Sequence, residues 1–140
     1  MEPREQQVRT WSMLCHLSAL AGFLAPILIV LGPVIIWQIK KNELPEIDPH
    51  GKAAVNFQLT IFLINIVAGI VIFGILGLGF GWGMGGVFWR SPFTFFGGGF
   101  GLGMLLGLIN LAAWILALIA GLKANNGETF KYPFAIQFIK

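Results

Sequence analysis

The chain has 140 residues, of which 56% are hydrophobic and 11% charged, with a mean hydropathy of +0.81 and a formal net charge of +3. Soluble globular chains carry about a quarter charged residues, so an ordinary water-soluble domain is excluded. The pI of about 9.4 does not point to nucleic acid, because the nine lysines and arginines are scattered over short segments without a continuous basic face, and a single cysteine, Cys15, excludes an intramolecular disulfide.

Residues 1–10 form a polar N-terminal tail in which Glu2 and Glu5 mix with Arg4 and Arg9. That mixture, and an apolar stretch that runs on past Ala21, argue against a cleaved signal peptide. Three uncharged stretches follow: Thr10 to Ile39, Ala53 to Trp89, and Ser91 to Leu122. Uncharged apolar runs of about 18 residues or more mark bilayer-spanning helices, so an all-α integral membrane protein is expected, a single helical domain over 1–140.

The first run, 11–39, exceeds one perpendicular crossing but falls short of two, and Pro26 and Gly32-Pro33 interrupt it. It reads either as one bent crossing or as a re-entrant pair of short helices meeting near the prolines. The re-entrant layout places every basic residue except Arg90 on one side of the membrane, and Trp11 and Trp37 at one interface, so it is preferred. The topology determinants are then Lys40, Lys41, Lys52 and Lys123, with the 40–52 loop and the C-terminus cytoplasmic. Asp48 as cap and Pro49 at the first helical position start a full transmembrane helix over about 49–73. The stretch 74–101 is rich in glycine and phenylalanine and reads as an interfacial connection, broken at Arg90-Ser91-Pro92. A second full transmembrane helix over about 102–123 ends at Asn125-Asn126-Gly127. Residues 124–140 form an interfacial tail. Phe130, Tyr132, Phe134, Ile136 and Phe138 alternate there with more polar or small neighbours, a two-residue period that suggests an extended segment, although a helical face after Pro133 also fits.

Hydrogen-bonding side chains inside lipid are the informative ones, since leaving them unpaired is costly. Asn65 stands 13 residues after Lys52, and Asn110 stands 13 residues before Lys123. In antiparallel helices the two amides lie at equal depth, which makes them partners across the helix pair. Asn56 and Gln58 lie close enough to the interface to reach headgroups or water, and His16 is expected to make a helix-packing hydrogen bond. Gly103, Gly107, Asn110, Ala113, Ala117 and Gly121 share one helix face. This small-residue stripe is expected to be the contact face toward the preceding helix, with a homo-oligomer interface as the alternative.

No catalytic, cofactor-binding or metal-ligating residues are expected. His16, His50 and Cys15 do not reach the ligand number of a zinc site. Gly77-Leu78-Gly79-Phe80-Gly81 lacks the strand and the lysine or acid of a phosphate-binding turn.

Several segments together resemble a known family: Trp11 to Ser18, Gly32-Pro33 to Trp37 with Lys40-Lys41, Asp48 to Lys52 with Val55 to Gln58, and Lys123 to Glu128 with Tyr132-Pro133. They resemble the bacterial membrane proteins labelled domain of unknown function 4870, a family similar to the Tic translocon subunit of the chloroplast inner envelope. The resemblance implies a compact helical membrane module with both termini on one side, related to protein translocation components. The expected function is a non-enzymatic membrane module, a subunit or assembly factor whose partners are membrane lipids and other membrane proteins or itself. The alternative is an oligomeric channel or transporter with a polar path along Asn65, Asn110 and His16.

Overall fold

A computed structural model describes residues 2–25, 27–81 and 92–140. These residues form four α-helices: α1 (Pro3–Leu17), α2 (Leu28–Lys40), α3 (Asp48–Gly81) and α4 (Pro92–Asn125). Short 3-10 turns at Ser18–Phe23 and Pro45–Ile47 lead out of α1 and into α3. No strand occurs among the described residues, so the fold is all-α. Two helical stretches, Pro45–Val71 and Gly103–Asn125, are long and apolar enough to cross a membrane. At 1.5 Å per residue they exceed the ~30 Å hydrocarbon layer.

The contacts divide the chain into two compact units, Met1–Phe62 with Ala112–Lys140, and Leu63–Leu111. In the first unit, α1 and α2 pack against each other as a hairpin. Neither crosses a bilayer on its own: 15 and 13 residues rise only about 22 and 20 Å. Their outer ends meet, since Arg4 pairs with Glu46 just beyond α2. Lys40 likewise lies over the Trp11 ring and Lys41 over the Trp37 ring.

Of the Pro26 to Pro33 turn expected from the sequence, only the Pro33 end is displaced, because α2 is already helical from Leu28. The 3-10 segment Ser18–Phe23 still runs beside α2, with Gly22 against Ile29 and Ser18 against Gly32, so the chain reverses between Gly22 and Ile29; Pro26 lies outside the described residues, and Pro33 sits buried inside α2. Gly32 makes the close return possible: a Cβ there would lie 2.5 Å from the Ser18 carbonyl oxygen, a contact no other residue type permits. Most of the polar N-terminal tail is helical. Helix α1 begins at Pro3 in its first turn, where a missing N–H costs nothing, and a Glu5–Arg9 pair at 2.6 Å supports the next turn.

Between this hairpin and the start of α3, Cys15, Trp37, Leu44, Ile47 and Val55 form the buried core, with Val34, Leu59 and Ile139 packed on it. Helix α4 enters the unit through Ala113, Ala117, Ala120 and Ala124, all 1% exposed or less. Gly121 meets the Leu17 side chain of α1, and these small residues let the two backbones approach closely.

The interfacial connection expected over 74–101 is shorter than the sequence suggests. Helix α3 continues to Gly81 and α4 already begins at Pro92, while residues 82–91, with Arg90, lie outside the described residues. Glycine weakens a helix by roughly 1 kcal/mol per residue in water. In apolar surroundings that penalty is outweighed by the need of each backbone N–H and C=O for a partner within the segment. At the other end of α4 the stop is where the sequence places it. Gly127, at φ +82°, closes a Schellman turn in which Glu128 N–H donates to Lys123 O and Gly127 N–H to Ala124 O.

Candidate functional site

The C-terminal tail is irregular, neither helix nor strand, yet it is held at several points by buried polar side chains of the first unit. Asn56, just over two turns into α3, uses its whole amide on one residue. Its Nδ2 donates to the Ile139 carbonyl and its Oδ1 accepts the Ile139 N–H, both at 2.8 Å. Thr60, on the same face at i+4, accepts the Ile136 N–H at 2.9 Å and donates to Asn56 O at 2.8 Å. A tail without secondary structure has backbone groups that need partners, and these two side chains supply them.

The centre of the attachment is Tyr132. Its ring stacks on Phe57 with centroids 4.1 Å apart and planes 12° from parallel. Its hydroxyl lies 2.9 Å from His16 Nδ1, and His16 Nε2 lies 3.3 Å from His50 Nδ1. The end of α1, the first turn of α3 and the tail thus converge on one hydrogen-bonded chain, with His16 only 1% exposed. On α1, outside the two apolar spans, burial and then the neighbouring His50 ring hold the His16 pKa down to about 3. Burial likewise pushes the Tyr132 hydroxyl above its usual range and the Cys15 thiol up to about 12. At neutral pH His16, Tyr132 and Cys15 therefore carry no charge and offer no thiolate or phenolate nucleophile.

Two buried polar groups stand apart from this network. Gln58, 1% exposed, has no hydrogen-bond partner on either amide atom, and Ser12 Oγ has none either, among the described residues. The interfacial exposure that the sequence suggests for Asn56 and Gln58 is not what the fold provides: both are buried, Asn56 against the tail residue Ile139.

In the second unit, Asn65 and Asn110 face each other with two hydrogen bonds, Nδ2 to Oδ1 at 3.2 Å one way and 2.9 Å the other. Asn110 Nδ2 also donates to Leu106 O at 2.8 Å. The expected small-residue stripe divides between the units. Ala113, Ala117 and Gly121 are buried in the first, whereas a Cβ added to Gly103 or Gly107 in the second would meet no atom within 4 Å. The four lysines expected to set topology belong to the first unit. Lys40 pairs with Glu43, Lys52 with Asp48 at 2.6 Å, and Lys123 with Glu128 at 3.5 Å, while Lys41 lies over Trp37.

Two apolar spans, each carrying one amide that answers the other, and a polar end tied to the tail describe a membrane module, and the family comparison is specific about its kind. The model of the magnetosome magnetite crystal formation protein family, MamF/MmsF, matches residues 7–139. The chain belongs to this family. The match replaces the resemblance to domain of unknown function 4870 and to the Tic translocon subunit. The segments that suggested those relatives, Trp11 to Ser18 through Tyr132-Pro133, all lie within the MamF/MmsF match, and the link to protein translocation falls with it. No curated protein and no solved structure matches the chain. As a MamF/MmsF family chain with two apolar helices, it is a membrane protein.

Sequence reasoning found Asn65, Asn110 and His16 but missed His50 and Tyr132 as partners of His16. The signal available was the shared face of Asn56 and Thr60, four residues apart, near the start of an apolar helix. A polar pair there needs a backbone to bind, and the adjacent aromatic tail is the segment whose backbone was unaccounted for.

Proposed function

We propose that this MamF/MmsF family chain is a non-enzymatic, multi-pass membrane module that acts in magnetite crystal formation by binding other membrane proteins. The observation that carries the reading is the closed Asn65–Asn110 pair: each amide is occupied by the other, so the second unit offers neighbours a packing surface in place of polar chemistry. The open backbone at Gly103 and Gly107 gives a partner helix a place to approach closely. Conduction along Asn65, Asn110 and His16 is disfavoured, because the amides are bonded to one another and His16 is spent on Tyr132 and His50. Cys15 and Tyr132, held neutral by burial, likewise offer no thiolate or phenolate nucleophile, and the His16 ring is occupied by Tyr132 and His50. By the excess of lysine in the first unit, the 40–52 loop and the tail face the cytoplasm.

In-membrane crosslinking from a photoreactive residue at Leu108, read by mass spectrometry in cells that form magnetite, tests the proposal. A reproducible heterologous membrane neighbour that is lost in Gly103→Leu/Gly107→Leu, with altered crystals in the same cells, is the expected result. Self-products alone, together with ion flux through reconstituted vesicles, would refute it in favour of an oligomeric channel.

A further inference from the structure

A cavity of about 400 Å³ opens between the first turns of α3 and the C-terminal tail. Its wall carries three lysines, Lys52, Lys131 and Lys140, beside the apolar Ala53, Phe130 and Ile139, and no carboxylate side chain lines it. Lys52 is paired with Asp48. Lys131 and Lys140 have no side-chain ion-pair partner among the described residues. Cations that share one cavity repel each other, and an anion between them removes that repulsion.

The lysines are not on a loose end. The Asn56–Ile139 and Thr60–Ile136 hydrogen bonds fix the backbone on the Lys140 side, and the buried Tyr132 fixes it beside Lys131. The depth of the site is also defined. Lys52 and Ala53 belong to the opening turns of the apolar span Pro45–Val71, where a crossing helix leaves hydrocarbon and enters the headgroup layer. Between the two free lysines the tail exposes Phe134 at 95%, Ile136 at 50% and Phe138 at 49%. Exposed apolar rings flanked by lysines are the pattern of a segment lying at the boundary between headgroups and acyl chains.

We propose that this cavity seats the phosphate of an anionic phospholipid headgroup, with Lys131 and Lys140 as its charge partners and Phe134 among the acyl chains. The site is independent of the partner-binding reading, which survives or fails separately. The test uses the full chain reconstituted in vesicles of phosphatidylcholine and phosphatidylglycerol in equal parts, then extracted gently and examined by native mass spectrometry. The wild type retains phosphatidylglycerol. Lys131→Gln/Lys140→Gln weakens retention about 30-fold, from roughly five-fold per lysine near an anionic surface. The charge-matched Arg4→Gln/Lys40→Gln, whose side chains pair with Glu46 and Glu43, leaves it unchanged. Circular dichroism confirms that both doubles fold. Equal loss in the two doubles, or no lipid retained by the wild type, overturns the proposal. Millimolar inorganic phosphate distinguishes the source: a lipid that stays bound supports the headgroup, and one displaced stoichiometrically assigns the cavity to free phosphate and overturns it.

Discussion

Gly51→Ala sets two opposed effects against each other in the first turn of α3. Alanine is the better helix former by about 1 kcal/mol, so propensity alone predicts a more stable protein. The packing predicts the reverse. A Cβ on Gly51 would stand 2.3 Å from Cγ and Cδ1 of Trp37 and 2.7 Å from its Cβ, where carbon atoms rest at about 3.5–4.0 Å. The indole therefore has to retreat by more than about 1 Å, but it is only 6% exposed and its Nε1–H is bonded to Asp48 Oδ1 at 2.9 Å. Overpacking costs about 1–3 kcal/mol and the lost hydrogen bond about 0.5–1.5 kcal/mol. With the propensity gain subtracted, the net destabilisation is about 2 kcal/mol. Unfolding by sodium dodecyl sulfate in mixed micelles, followed by Trp fluorescence and circular dichroism, measures it. Gly69→Ala is the control, because a Cβ there meets no atom within 4 Å, and it leaves stability unchanged or raises it by up to about 1 kcal/mol. A Gly51→Ala protein as stable as the wild type would refute the packing argument.

Three further outcomes follow from the polar contacts. Asn56→Ala removes both hydrogen bonds to Ile139 and weakens tail docking by about 2 kcal/mol, so trypsin cleavage after Lys131 rises roughly 30-fold; unchanged cleavage kinetics would mean that the clamp is inert. Replacing Asn65 and Asn110 by leucine singly and together gives a coupling energy of about 0.6–2 kcal/mol in a double-mutant cycle of micelle unfolding, and simple additivity would contradict the mutual bonding. The His16 pKa lies near 3 in the folded chain and near 6.5 when unfolded, so the unfolded state binds the extra proton between those values. Stability is therefore full above pH 6.5 and falls toward pH 3, by up to about 5 kcal/mol. His16→Gln flattens that part of the profile, and an equally steep loss in the variant would assign it to other groups.

Which features were legible in the sequence follows from the range over which each is decided. The uncharged runs, the start of α3 at Asp48-Pro49 and the Gly127 stop of α4 depend on a few neighbouring residues and on the solvent, and each lies where the sequence places it. Asp48 is itself helical, however, and its carboxylate holds Trp37 and Lys52 rather than capping. Equal spacing from flanking lysines was enough to pair Asn65 with Asn110, because two antiparallel helices of constant rise turn sequence distance into depth. The glycine-rich stretch misled, since a propensity measured in water overstates how readily helix yields where no water competes for the backbone. The division of the Gly103 to Gly121 stripe was not visible either: periodicity identifies a face, but which part of it is covered depends on where the α1–α2 hairpin ends.

By itself the sequence determined that lipid is the solvent for two helices and that their amides must find each other, because hydrocarbon leaves a buried polar group no alternative partner. Only the tertiary structure decided that His16, His50 and Tyr132 meet, that Asn56 grips Ile139 across 83 positions, and that three lysines face one cavity. Those contacts join segments with no common period or spacing. Their partners are selected by the path of an irregular tail, and that path is settled by packing and hydrogen bonding together rather than by any local preference.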